Sequence, residues 1–179
     1  MSYKLSVIIP VFNAEDYIKE CLDSVVDQSL GIDNIEVIIV NDNSCDSTLD
    51  IISQYTDKYP SFKLISNKSN LGPGESRNMA LKEVSSDYVT YLDADDFISQ
   101  NAYEDALSKI NEFNADLLIY NWETYTGSDY VEPVNIHQQN TLENKLITDI
   151  KQNPKLFLST APWNKIYHRS SVSYTHLTL

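Results

Sequence analysis

Two near-continuous apolar runs, 5–11 (LSVIIPV) and 35–40 (IEVIIV), constrain this chain more than any other feature. Neither alternates apolar with polar residues, so neither suits a sheet with one face in water. Runs of this kind belong to strands covered on both faces, as in parallel sheets flanked by helices. The segments between them agree. Asn13 stands where it can cap a helix over 14–28, with Ile18, Cys21, Leu22 and Val25 at helical spacing. A turn cluster at 41–46 leads into a helix over 47–59 that Pro60 halts. A short strand at 62–65, a loop at 67–74 and a helix over 75–84 follow, then a strand at 88–92, a helix near 100–113 and a fifth strand near 116–120. Such alternation implies parallel strands with right-handed crossovers and helices on both faces.

Ligands of such sheets bind outside the strands' carboxyl ends, near a topological switch point. Four motif-like segments follow the four strands in turn: Phe12-Asn13, then 41–44 (NDNS), 70–74 (NLGPG), and 93–96 (DADD). All four are expected on one rim. The last holds three carboxylates within four residues, a repulsive arrangement unless a cation arrives. Asp93 and Asp95 project to the same side if the chain stays extended there. Two hard oxygen donors suit Mg2+ or Mn2+, which in turn suit a diphosphate. Alternatively, Asp95 or Asp96 caps the next helix. Arg77 is the one strong cation among the four segments, placed to reach a phosphate or a motif carboxylate. Glu75 reads as a first-turn helix acid.

Net charge is −13, from 26 acidic and 13 basic residues, which argues against general nucleic-acid binding. Cys21 and Cys45 are the only cysteines, so neither a disulfide framework nor a zinc site is expected, and a cytoplasmic setting is the default. Cys21 reads as a small buried thiol. The longest apolar run, 7–12, is too short to span a bilayer, and the start of the chain leaves no room for a signal peptide.

The segment 6–13 (SVIIPVFN), 40–47 (VNDNSCDS), 70–72 with 76–78 (SRN), and 91–96 (YLDADD), in this order, together resemble glycosyltransferase family 2. Residues 163–167 (WNKIY) look like a further family element, and the resemblance covers roughly 3–171. It implies a GT-A fold: α/β, Rossmann-like, a mainly parallel central sheet with helices on both faces, incomplete at the C-terminus. By resemblance, 1–121 would be the nucleotide-sugar-binding core and 122–171 the start of the acceptor half. Within the latter, 124–140 is polar and irregular, 141–152 reads as a helix, and 161–169 as a partly buried return toward the sheet.

The resemblance also implies transfer of a sugar from a UDP-sugar to a hydroxyl of a saccharide or lipid-linked acceptor, with inversion. The setting it implies is polysaccharide or glycolipid assembly at the inner face of the membrane, with peripheral membrane association. Pro10, Val11 and Phe12 would line the uracil and Asp42 accept its ring N–H. Gly72 and Arg77 would serve the nucleotide. Asp93 would contact ribose or metal, and Asp95 would ligate Mn2+ or Mg2+. Trp163 and Lys165 would stand on the donor or acceptor side. The family's candidate base is a Glu-Asp pair beyond the Trp-Asn-Lys element, so this chain is expected to lack it and to be nearly inactive. Asn41 replaces a common family Asp. The alternative is a non-catalytic nucleotide-sugar-binding module. A dehalogenase-type phosphatase would carry its D-x-D after the first strand. A nucleotidyltransferase would need a Gly-rich loop there, and a dinucleotide fold a G-x-G-x-x-G.

Residues 172–179 (VSYTHLTL) follow no strand or helix logic. They back-translate as GTC TCT TAT ACA CAT CTG ACG CTG, an in-frame sequencing adapter, and are expected to be non-native.

Overall fold

Strands β1 (Leu5–Val11) and β2 (Ile35–Asn41) are buried at every position. They are adjacent interior strands of a six-stranded sheet in the computed structural model, which describes residues 2–125, 130–131 and 161–172. The other sheet members are β3 (Phe62–Ser66), β4 (Tyr88–Tyr91), β5 (Leu117–Ile119) and β8 (Lys165–His168). Thr124–Tyr125 and Tyr130–Val131 pair as a separate small ribbon, β6 and β7. The sheet order is β3-β2-β1-β4-β8-β5. The first four strands are parallel, and β8 enters antiparallel between β4 and β5. The expected return of 161–169 is therefore a true strand, and the sheet is mixed on that side only. The chain reverses its direction of growth between β1 and β4, which puts the switch point at their carboxyl ends.

Side-chain parity explains why the strands could not alternate. Leu5, Val7, Ile9, Val37 and Ile39 share one core with residues of α1 (Ile18–Val26), α2 (Thr48–Lys58) and α4 (Ala102–Phe113). Ile8, Ile38, Val40, Val89 and Tyr91 share the other with Ala80 of α3 (Pro73–Leu81) and Val172 of α5 (Arg169–Val172). Each large aliphatic side chain buried this way is worth about 1.5–3 kcal/mol over exposure, so both faces demand apolar residues. The expected helix at 141–152 lies outside the described residues, as do 173–179, whereas Val172 is part of the second core.

Two local expectations need correcting. Asn13 does not cap α1, which begins only at Ile18 after a turn closed by Tyr17 and Ile18 N–H groups on the Ala14 carbonyl. Asn13 instead adopts φ 48° and accepts the Cys45 N–H on Oδ1 at 2.9 Å. Asp95 and Asp96 do not cap the following helix either, because α4 starts at Ala102 with Asn101 at its N-cap. The capping explanation for the acidic run therefore falls.

One buried feature escaped the sequence. At the amino rim, the Glu36 side chain is fully buried beneath four strands' starting residues. Its carboxylate accepts from Ser6 Oγ (2.5 Å), Lys63 Nζ (2.7 Å), and the Ser85 N–H and Oγ (both 2.9 Å). Ser86 Oγ joins Ser6 at 2.7 Å. Burial pushes the Glu36 carboxyl up, but these hydrogen bonds outweigh it and hold it below its ordinary value. Only the tertiary structure supplies the partners of this one Glu in an otherwise apolar run.

Candidate functional site

The four segments do share the carboxyl rim, and hydrogen bonds join them pairwise. The first and second are laced together: the Asn13 N–H donates to Ser44 Oγ (3.0 Å), Cys45 N–H to Asn13 Oδ1, and Ala14 N–H to Thr48 Oγ1 (2.8 Å). Asn41 accepts the Ser44 N–H on Oδ1 (3.2 Å), fixing the turn in which Asn43 takes φ 64°. Pro10 and Val11 are buried at the end of β1, while Phe12 is 49% exposed and offers its ring to solvent on the rim.

Asp42 joins the second segment to the third. It is 3% exposed, and both carboxylate oxygens are turned onto the loop between β3 and α3. Asn67 Nδ2 donates to Oδ1 at 2.7 Å, the Leu71 N–H spans both oxygens at 2.9 and 3.1 Å, and the Gly72 N–H reaches Oδ2 at 2.7 Å. Burial pushes the carboxyl up, yet the three donors prevail and hold it below the usual carboxylate range. Gly72 takes φ 85° as the chain enters α3, a conformation that glycine adopts without strain. Asp42 is thus the post on which the loop hangs. Asn67, just past β3, is its partner and was not singled out by sequence; an Asn after a strand is too common a signal.

Arg77 joins the third segment to the fourth. It lies on α3 with 6% exposure, and its Nη2 donates to Asp93 Oδ1 at 2.5 Å. Asp93 is partly exposed, and Asp95 and Asp96 are exposed. The Asp96 N–H closes a turn on the Asp93 carbonyl at 3.0 Å, so the run curls instead of continuing as a strand. Partial loss of hydration first, then repulsion from Asp95 and Asp93, push the Asp96 carboxyl up to about 6. Beneath the turn, Cys21 is buried with its thiol 3.6 Å from the Asp93 carbonyl, and burial pushes its pKa up, so it is no nucleophile. Among the described residues no three acidic, His or Cys side chains converge on one point. The donors are nonetheless hard oxygens, and the run suits an ion that takes one or two carboxylates and completes its shell from a diphosphate.

Trp163, Asn164 and Lys165 border the acidic run, because β8 starts beside the end of β4. Trp163 packs edge-on against Trp122 at 5.3 Å between centroids, and its carbonyl accepts the Tyr120 hydroxyl at 2.6 Å. Lys165 is buried; its ammonium donates to Asn164 Oδ1 (2.8 Å) and the Ala161 carbonyl, and burial pushes it down to about 8. It braces the turn before β8. On the other side, Gln28 at the end of α1 donates to the Ser99 carbonyl (2.8 Å) and accepts the Tyr103 N–H (3.2 Å). Ser24 Oγ accepts the Ile98 N–H (3.2 Å). These two polar residues pin the chain leaving the acidic turn.

A doubly wound sheet with an acidic turn at its switch point and an anchored glycine loop defines an α/β protein of the class that places its ligands at the strands' carboxyl ends. The sequence model of glycosyl transferase family 2 matches residues 6–173, and the chain belongs to that family. Glycosyltransferase GlyA of Streptococcus pneumoniae is 33% identical over 175 residues, covering 92% of this chain and 24% of GlyA. The poly(ribitol-phosphate) beta-glucosyltransferase of Bacillus spizizenii is 45% identical over 100 residues, covering 55% of this chain and 16% of the relative. The crystal structure of Staphylococcus aureus TarS 1–349 in complex with UDP-GlcNAc superposes with a TM-score of 0.78 at 31% identity, over 95% of this chain and 46% of that one. The fold is therefore GT-A-like, as expected. The chain spans less than half the length of each of these three proteins.

Proposed function

We propose that this chain is the donor-binding part of a glycosyltransferase that moves a sugar from a UDP-sugar to a hydroxyl of a saccharide or lipid-linked acceptor in cell-surface polymer synthesis. The observation that carries the reading is the pairwise bonding of all four rim segments, through Asn13, Asp42 and Arg77, on an architecture 31% identical to one crystallised with UDP-GlcNAc. A base would lie against Phe12 with Pro10 and Val11 behind it, and Asp42 would hold the Leu71-Gly72 backbone as the facing wall. Gly72 leads into the start of α3, where free N–H groups favour a phosphate. Asp95, with Asp93 beside it, would hold Mn2+ or Mg2+. The ion's contribution would be to neutralise charge on the departing diphosphate. Trp163 and Lys165 would border the sugar. An acceptor hydroxyl, deprotonated by a base, would attack the anomeric carbon with inversion, and we place that base further along the length of the relatives. Among the described residues no helix is long and apolar enough to cross a membrane. On the common setting of the family, we assign the reaction to the cytoplasmic face of the membrane.

The test is calorimetric titration of the 179-residue chain with UDP, with and without MnCl2. Saturable binding that MnCl2 tightens about tenfold or more, roughly 1.4 kcal/mol, is expected, with little sugar transfer. Absence of UDP binding at millimolar concentration would sink the donor reading. A non-catalytic module would bind UDP equally but still fail to transfer when the chain is extended to its relatives' length.

A further inference from the structure

We infer that Arg77 is the resident counter-ion of the acidic turn: it aims Asp93 before any divalent cation arrives and leaves ligation of that cation to Asp95. The inference rests on the acidic turn being the cation site. Arg77 is almost wholly buried, with Nη2 at 2.5 Å from Asp93 Oδ1, and its Nε is buried without a hydrogen-bond partner among the described residues. A guanidinium stays charged at any pH the fold survives. Losing Asp93, its one carboxylate partner among the described residues, would strand that charge in the interior, which proteins avoid. Asp93 therefore cannot hand Oδ1 to a metal without a penalty, and only its second oxygen is open to ribose or metal.

Asp95 is placed differently. It is exposed and makes no side-chain hydrogen bond or ion pair among the described residues. It can take a hard cation at no cost to the surrounding protein. The two carboxylates of the D-x-D run are thus unequal for a physical reason: one is already neutralised by a fixed cation from α3, the other is not. The fixed charge also offsets part of the repulsion that an incoming diphosphate meets from Asp95 and Asp96.

Removing that charge should move two affinities in opposite directions. With Arg77→Gln, three carboxylates lose their counter-ion, so Mn2+ alone should bind more tightly, by about 5–10-fold. UDP without metal should bind more weakly. A guanidinium that simply contacted the phosphates would give weaker UDP binding with no gain for Mn2+. One that only supported the fold would change neither affinity once the chain is folded.

The experiment is a titration of MnCl2 alone, followed by the electron paramagnetic resonance signal of free Mn2+, into the 179-residue chain and three variants. Arg77→Gln is expected to raise Mn2+ affinity and to lower the melting temperature more without Mn2+ than with it. Arg77→Lys keeps the charge and should stay within about twofold of the parent; it decides the matter if Arg77→Gln does not fold, since a larger change in the lysine variant would count against a charge role. Asp95→Asn should abolish the binding. Unchanged or weaker Mn2+ binding in folded Arg77→Gln overturns the inference alone. Mn2+ binding that Asp95→Asn leaves intact overturns the cation reading, and the inference with it.

Discussion

Glu36→Ala is expected to destabilise the fold by about 1–3 kcal/mol, since it takes the carboxylate acceptor from a buried hydroxyl and unties the turn before β4. The Ser6 hydroxyl is buried and would lose its charged acceptor, keeping only Ser86 Oγ, while the exposed Ser85 N–H and hydroxyl can turn to water. Lys63 is half-exposed and can turn to water, so the charge itself is the smaller part of the loss. The effect carries a pH signature. The Glu36 carboxyl sits below its ordinary value in the folded protein. Its contribution is therefore complete above the unfolded glutamate range, about 4.3, and fades as pH falls through the folded value. Glu36→Gln keeps the shape and removes the titration. Urea midpoints at pH 7 and pH 4 should show the gap between parent and Glu36→Gln narrowing on acidification. A gap that stays constant would mean that the carboxylate is not what holds the strand starts together.

The contrast between this network and the rim explains what the sequence could carry. Strands, crossovers and the rim were legible because they rest on local signals: apolar runs buried on both faces, turn residues at their ends, a Gly-Pro-Gly before a helix. Their order along the chain then dictated a common rim. What could not be read was which side chains of different segments meet. Asn13 looked like a helix cap and instead crosses to Cys45; that Asp42 carries the loop 67–72 had no signal in the sequence. Glu36 pairs with residues 27 to 49 positions away, for which a single sequence offers no spacing rule. Arg77 is the intermediate case. Its helix was predicted, and its being the one strong cation among four acidic or neutral segments left few partners, of which the structure selects Asp93.

Asp42→Ala is expected to weaken UDP binding by about 30–100-fold, or roughly 2–3 kcal/mol, although Asp42 has little surface of its own to offer a ligand. The argument runs through the loop. Leu71 and Gly72 each donate a backbone N–H to this one carboxylate, and Asn67 donates a side-chain amide. Hydrogen bonds to a charged acceptor are worth about 1.5–3 kcal/mol each when buried, enough to hold a loop whose glycine takes φ 85°. Without them the segment before α3 regains its freedom, and a nucleotide must order it on binding. Asp42→Asn separates this from any direct contact with a base. Its amide keeps one acceptor oxygen but turns donors toward a backbone N–H, so the loop should loosen almost as far as in the alanine variant. Hydrogen exchange of the 67–72 amides in the unliganded chain is the deciding measurement. Faster exchange in both variants, in step with the loss of UDP affinity, makes Asp42 a positioning residue. If affinity falls while the amides stay as protected as in the parent, the loop does not transmit the effect, and the carboxylate must meet the ligand itself.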